Sequence, residues 1–189
     1  MRWLANTLAI LCALALMLVL WLQTGQRAEE ARLVGQAQQA VRSVEQTLQL
    51  MATVYKVPSN RRGWPMSIEP AWFGDEVPRN GMLPTDHPWM EIATPDQAGL
   101  QHPPVRIAVR RDLAGLWYNP YQGVVRARVP VMVSDSESVR LYNLVNGTRL
   151  GSIFDIERPM AVPGLDHAGP MSAAEQAAAV LDPTRPIER

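Results

Sequence analysis

Cysteine is almost absent from this sequence: Cys12 is the only one in 189 residues. A single thiol excludes an internal disulfide, and it leaves the rest of the chain without a thiolate metal site. It fits an oxidising and a reducing compartment alike. A lipid-modified Cys12 is a poor reading, because Leu11 precedes it where a small residue is needed. Lysine is nearly missing too. Lys56 is the only one, so the basic residues are almost all arginine, which reads as a composition bias. Net charge of either sign is also lacking, since 18 Lys+Arg balance 18 Asp+Glu. The chain therefore has no overall field to draw in nucleic acid or acidic substrates.

Catalytic signals are equally scarce. The three histidines, His87, His102 and His167, lie far apart in proline- or glycine-rich stretches, and no pair has metal-ligand spacing. Asp166 adjoins His167, but no nucleophile motif accompanies the pair. There is no phosphate-cradling glycine loop, no paired-cysteine motif and no glycine-x-serine-x-glycine elbow. No catalytic, cofactor-binding or metal-ligating residue is assigned, no cofactor or small-molecule substrate is expected, and the chain reads as non-enzymatic.

What is present begins at the N-terminus. Residues 3–22, WLANTLAILCALALMLVLWL, are twenty residues without a charge. As a helix they would span about 30 Å, the thickness of a bilayer core. Trp3 and Trp21 stand at the two ends, where indoles favour the membrane–water interface. The rival reading is a cleaved signal peptide, whose apolar core is shorter and is followed by a small-x-small site. Gln23, Thr24, Gly25, Gln26 and Arg27 form a weak cleavage context, so residues 1–25 are read as a retained single-pass anchor. Charge alone leaves orientation open. Arg2 flanks one side, while Arg27, Arg32 and Arg42 on the other are mixed with Glu29, Glu30 and Glu45.

Residues 26–57 read as a continuing amphipathic helix, rich in good helix formers and free of proline until Pro58. Val34, Ala37, Val41, Val44, Leu48, Met51 and Tyr55 alternate spacings of three and four, a heptad seam. Arg32, Gln39, Arg42, Gln46 and Gln49 take the other face. The seam is expected to pack on the protein's own sheet, with a partner helix as the alternative. Residues 58–104 hold nine of the 16 prolines and read as a long irregular connection. Trp64, Trp72, Phe73 and Trp89 make it a packed loop and, in the alternative, a binding loop.

Residues 105–156 show the period-two pattern of strands in VRIAVRR, VVRARVPVMV and VRLYNLV. Asn146-Gly147 fits a hairpin turn, and a further strand is expected over residues 148–154. Pro130 places its strand at an edge or a bulge. The expectation is an antiparallel meander with one valine face and one arginine face. Seven arginines (106, 110, 111, 126, 128, 140, 149) against four acids (Asp112, Asp135, Glu137, Asp155) leave this stretch at +3. A solvated face explains it; an anion- or DNA-contacting face through Arg126 and Arg128 is the alternative. Residues 157–189 read as a tail in which Ser172 and Glu175 form a capping box for a short alanine-rich helix.

This order resembles the type IV pilin and type II secretion pseudopilin fold: an N-terminal membrane helix running into an amphipathic helix, an irregular connection, and an antiparallel sheet on that helix. The stretch from Trp117 through Asn119, Tyr121 and Gly123 to Pro130 is similar to the sheet of some pseudopilin-like proteins. The prepilin leader and the early glutamate of that family are not found: the apolar run holds no glutamate, and Gly25 follows it. The resemblance implies an α+β fold, a long helix packed on a small antiparallel meander. It also implies a single-pass protein of the inner membrane with its domain in the periplasm. Its partners would be the membrane and related pilin-like subunits met through the N-terminal helix, in secretion, protein transport or pilus assembly. Nucleic acid is not expected as a partner. The alternative is a bitopic binding module using the Trp-rich loop or the arginine face, with DNA among its ligands.

Overall fold

The computed structural model describes residues 2–55 and 57–162; within residues 2–23 the described side chains are those of Trp3, Leu14, Met17 and Trp21. The chain is α+β. Helix α1 (Arg2–Leu50) passes into a π-helical turn, Met51–Tyr55. Strand β1 (Met90–Ile92) lies parallel to β2 (Leu116–Asn119), which lies antiparallel to β3 (Val124–Ala127). Helix α2 (Asp135–Asn146) follows.

The core forms where α1 lies on the sheet. Val34, Ala37, Val41, Val44 and Leu48 are buried, together with Ala40. They meet Leu116, Tyr118, Val125, Ala127 and Val129 from the sheet and Leu141, Tyr142 and Val145 from α2. The polar face of α1 stays outside: Arg32, Gln39, Arg42, Gln46 and Gln49 are exposed. The seam ends at Leu48, because Met51 is half-buried and Tyr55 is 66% exposed. The π-helical turn changes the angular step, so the heptad register does not carry through it. Gln38 donates to the Leu144 carbonyl at 2.9 Å, and Arg140 reaches Glu30 at 2.6 Å, fixing α2 beside α1.

Three expectations change. First, the sheet is a three-stranded mixed sheet, not an antiparallel meander. Its first strand comes from the proline-rich connection, and Ile107 contributes only an isolated parallel bridge to Val129. Second, VRLYNLV is helical. Ser134 and Glu137 stand three apart as in a capping box, and the Ser134 hydroxyl accepts from the Glu137 N–H at 3.2 Å. Ser138, Leu141, Tyr142 and Val145 are its buried face, spaced three, one and three, which suits a helix and not a strand. Asn146-Gly147 is accordingly a helix end, with Gly147 in the left-handed conformation at φ 63°. Residues 148–154 are not a strand; the Asn143 side chain gathers Thr148 and Leu150 instead.

Third, among the described residues no helix is long and apolar enough to cross a membrane. This corrects the transmembrane, single-pass and membrane assignments made for residues 3–22. From Thr24 onward α1 carries Gln26, Arg27, Glu29, Glu30 and Arg32 within about two turns, too polar for a hydrocarbon core. The tail beyond residue 162, including the Ser172–Glu175 capping box, lies outside the described residues.

The connection itself is well packed. Trp89 donates to the Pro78 carbonyl at 2.5 Å and meets Phe73 edge-on, centroids 5.4 Å apart. Phe73, Trp72 and Trp89 all border the core. Trp64 roofs the β2–β3 turn, where Gly123 has φ +67° and a Cβ would fall on the indole. Gly123→Ala is expected to cost about 1–3 kcal/mol from the left-handed backbone and the overlap combined. Thermal denaturation checks it, and an unchanged melting temperature would show that Trp64 swings away freely.

Asn146 closes the outer side of β3. Its side-chain oxygen accepts from the Ala127 N–H at 2.7 Å, and its amide donates to the Ala127 carbonyl at 2.9 Å.

Candidate functional site

The two faces of the sheet have different covers. Leu116, Tyr118, Val125 and Ala127 face the helices. Trp117 and Asn119 point the other way and are also completely buried. The crossover between β1 and β2 roofs them. The Asn119 amide reaches the carbonyls of Leu100 at 2.7 Å and of Gln97 and Ala98 at 3.2 Å. Trp117 donates to the Gln97 side chain at 3.4 Å.

Four of the seven arginines, Arg110, Arg111, Arg140 and Arg149, are exposed as a solvated face requires, but the three beside the sheet are not. Arg128 is 1% exposed and Arg106 6%, while Arg126 is half-buried. Arg128 is fully engaged. Its guanidinium donates to the Val105 carbonyl at 2.8 Å, the Ala114 carbonyl at 2.7 Å and a Glu91 oxygen at 2.6 Å. Asn80 donates to the Arg128 carbonyl at 2.7 Å and to that of Gly115 at 3.1 Å. Among the described residues Arg106 and Arg126 are under-paired: each makes one hydrogen bond, to Ile153 and Val125 carbonyls respectively, and each has a buried Nε without a partner. A duplex needs exposed guanidinium groups for its phosphates, so Arg128 and Arg106 are unavailable to one.

His102 joins this buried cluster. Its ring Nδ1 lies 3.1 Å from the Tyr142 hydroxyl, and the rings meet edge-on. The Glu157 carboxylate accepts from the backbone N–H groups of Gln101 at 2.6 Å and His102 at 3.0 Å. Burial, then the charges of Arg126 and Arg106, push the His102 pKa down to about 4. Burial pushes the Tyr142 hydroxyl up, out of the range of a nucleophile at neutral pH. Glu45 is pushed up by burial and is drawn back by Arg126 and Arg42.

His102 binds its proton more weakly folded than unfolded, where the value is near 6.5. The unfolded chain then takes up the extra proton, so stability is complete above pH ~6.5 and falls as pH drops toward ~4. Asn at position 102 can keep a polar contact to Tyr142 without titrating. His102→Asn is expected to flatten the stability profile between pH 6.5 and 4, as read by urea denaturation at several pH values. An unchanged slope would assign the loss to other groups.

The remaining candidates are dispersed. The His87 ring lies 2.9 Å from the Leu113 carbonyl, far along the chain from His102. Asp166 and His167 lie outside the described residues. Among the described residues no group of three His, Cys, Asp or Glu is placed to hold a metal ion.

Two surface features were missed. The first is a groove of about 650 Å³ between residues 102–109, the start of α2 and residues 153–157. Val105, Val109, Val131, Phe154 and Ile156 are exposed around it. The second is on α1, where Trp3, Leu14, Met17 and Trp21 are exposed. Their spacings of eleven, three and four place them on one stripe, at ~100° per residue about opposite the buried seam. The alternation and the apolar count in the sequence concealed both, because neither says which apolar side chains a fold leaves uncovered.

Searches against protein-family models, curated proteins and solved structures find no match to this chain. No family evidence stands behind the pilin, pseudopilin, type II secretion and protein-transport assignments, which fall with the transmembrane helix.

Proposed function

We propose that the chain is a non-enzymatic assembly subunit, an α+β head carried on a long helix through which it meets related helices of neighbouring subunits. One observation carries this reading. Helix α1 runs for 49 residues, about 74 Å at 1.5 Å per residue. Among its described side chains, those buried by the head run from Val34 to Leu48. The large side chains of Leu14, Met17 and Trp21 are more than half exposed, on a stripe turned away from the side the head occupies. Apolar surface of that kind is stabilised by burial against another helix, at about 25 cal/mol per Å².

Site-directed photocrosslinking in cells tests it. Probes at Met17 and Gln39 are expected to trap discrete protein adducts, whereas a probe at Arg110 on the head is expected to trap few. Adducts from Arg110 with none from α1 would move the interaction to the head and end this reading.

A further inference from the structure

The groove beside α2 has a composition that the assembly reading does not use. Its walls are apolar: Val105, Ile107, Val109, Val131, Phe154 and Ile156 line it. Several are far more exposed than a satisfied core allows, Val131 at 64%, Phe154 at 65% and Ile156 at 99%. Arg106 also lines it and is 6% exposed. Of the five N–H groups a guanidinium carries, Arg106 uses one among the described residues, on the Ile153 carbonyl. Its Nε is buried without a partner. Arg106 takes part in none of the ion pairs among the described residues. A buried cation so poorly paired is costly, and a ligand carboxylate would relieve it.

Three acids border the same groove. Glu157 is committed to the backbone N–H groups of Gln101 and His102. Asp155 is committed to those of Gly151 and Ser152. Asp135 lies in the first turn of α2, against the positive end of the helix dipole. None of them is paired with Arg106, so the guanidinium is the group in the groove with unmet hydrogen-bonding capacity.

We propose that this groove binds a monocarboxylate with an apolar chain, its carboxylate on the Arg106 guanidinium and its hydrocarbon along Val109, Val131 and Ile156. The volume suits a small amphiphile, since ligand pockets commonly run ~300–1,000 Å³. The selectivity follows from the chemistry. An alcohol of the same chain length keeps the apolar contacts but leaves the buried guanidinium unpaired. The site is independent of the α1 stripe, so it stands or falls separately from helix-mediated assembly.

The test uses the full chain, titrated with octanoate and with 1-octanol by calorimetry and by NMR of 1-13C-octanoate. Octanoate is expected to bind saturably, at least ~10-fold more tightly than octanol, a tenfold step being ~1.4 kcal/mol. Arg106→Gln is expected to erase that preference while leaving octanol binding in place. Because Arg106 also holds the Ile153 carbonyl, that variant can lose its fold. Ile156→Asp alters a fully exposed side chain and is expected to weaken both ligands ~10-fold or more. Equal affinity for octanol and octanoate, absence of saturation at millimolar concentration, or octanoate binding untouched by Ile156→Asp would each overturn the proposal.

Discussion

Arg128→Ala is expected to destabilise the protein by roughly 3–5 kcal/mol, the usual cost of removing one partner from a buried charged network. The side chain is 1% exposed and ties its own segment to three other positions in the chain. It stands beyond β3 and binds the Val105 carbonyl, the Ala114 carbonyl and Glu91 on β1. Truncation would leave two carbonyls short of a donor at about 1–3 kcal/mol each when buried. It would also leave a cavity where the aliphatic stem packed. Glu91 is about one-third exposed, so water would take up part of its charge, and the ion pair is the smaller part of the loss. Arg128→Lys should recover little, because one ammonium cannot reproduce a fork that serves three acceptors. Urea denaturation of the full chain reads the effect. A loss under about 1 kcal/mol would mean that water replaces the guanidinium at no great cost.

Leu48→Ala should be of similar size, about 2–5 kcal/mol, as for other fully buried leucines. Leu48 is 0% exposed and is the last core-facing residue of the α1 seam. About two turns further on, Tyr55 is 66% exposed, so Tyr55→Ala should stay within about 0.5 kcal/mol. The pair of variants tests where the heptad pattern stops being structural. If Leu48→Ala leaves the unfolding midpoint in place, the helix does not rest on the sheet as described.

That seam is the part of the fold the sequence declared most openly. Periodicity reports which side of an element is covered, and on α1 only one side of residues 34–48 is covered by the head. The sheet was harder to read because both of its faces are covered. Arg126 and Arg128 alternate with Val125, Ala127 and Val129 just as a solvated strand would, and period-two reasoning assigns them to water. Arg128 lies inside because the crossover between β1 and β2 folds over it, through Val105 and Ala114, and Arg126 is half-buried beside it. Nothing in the local pattern marks a coil that will act as a roof.

The reading of α2 as a strand had a different origin. In VRLYNLV the odd positions Val139, Leu141 and Val145 share the parity of a strand face, and Asn143 is the exception. The exception was the signal: with Tyr142 included, the apolar spacing becomes that of a helix. The Ser134–Glu137 capping spacing was present in the sequence as well. Strand β1 is only three residues long and sits between prolines, so no periodicity could develop. As for the candidate site, the sequence showed the arginines but not their burial, and it gave no sign of the groove or of the exposed stripe on α1.

Asn146 has a consequence for how copies of this protein can meet. A sheet edge ordinarily offers unpaired N–H and C=O groups to any passing strand. At Ala127 both groups are already held by one side-chain amide that occupies the place of a neighbouring strand's peptide. Strand-by-strand growth from that side is blocked at the level of the backbone, whatever the concentration. Sheet extension across β3 is thus closed off at Ala127, without a bulge or a covering loop.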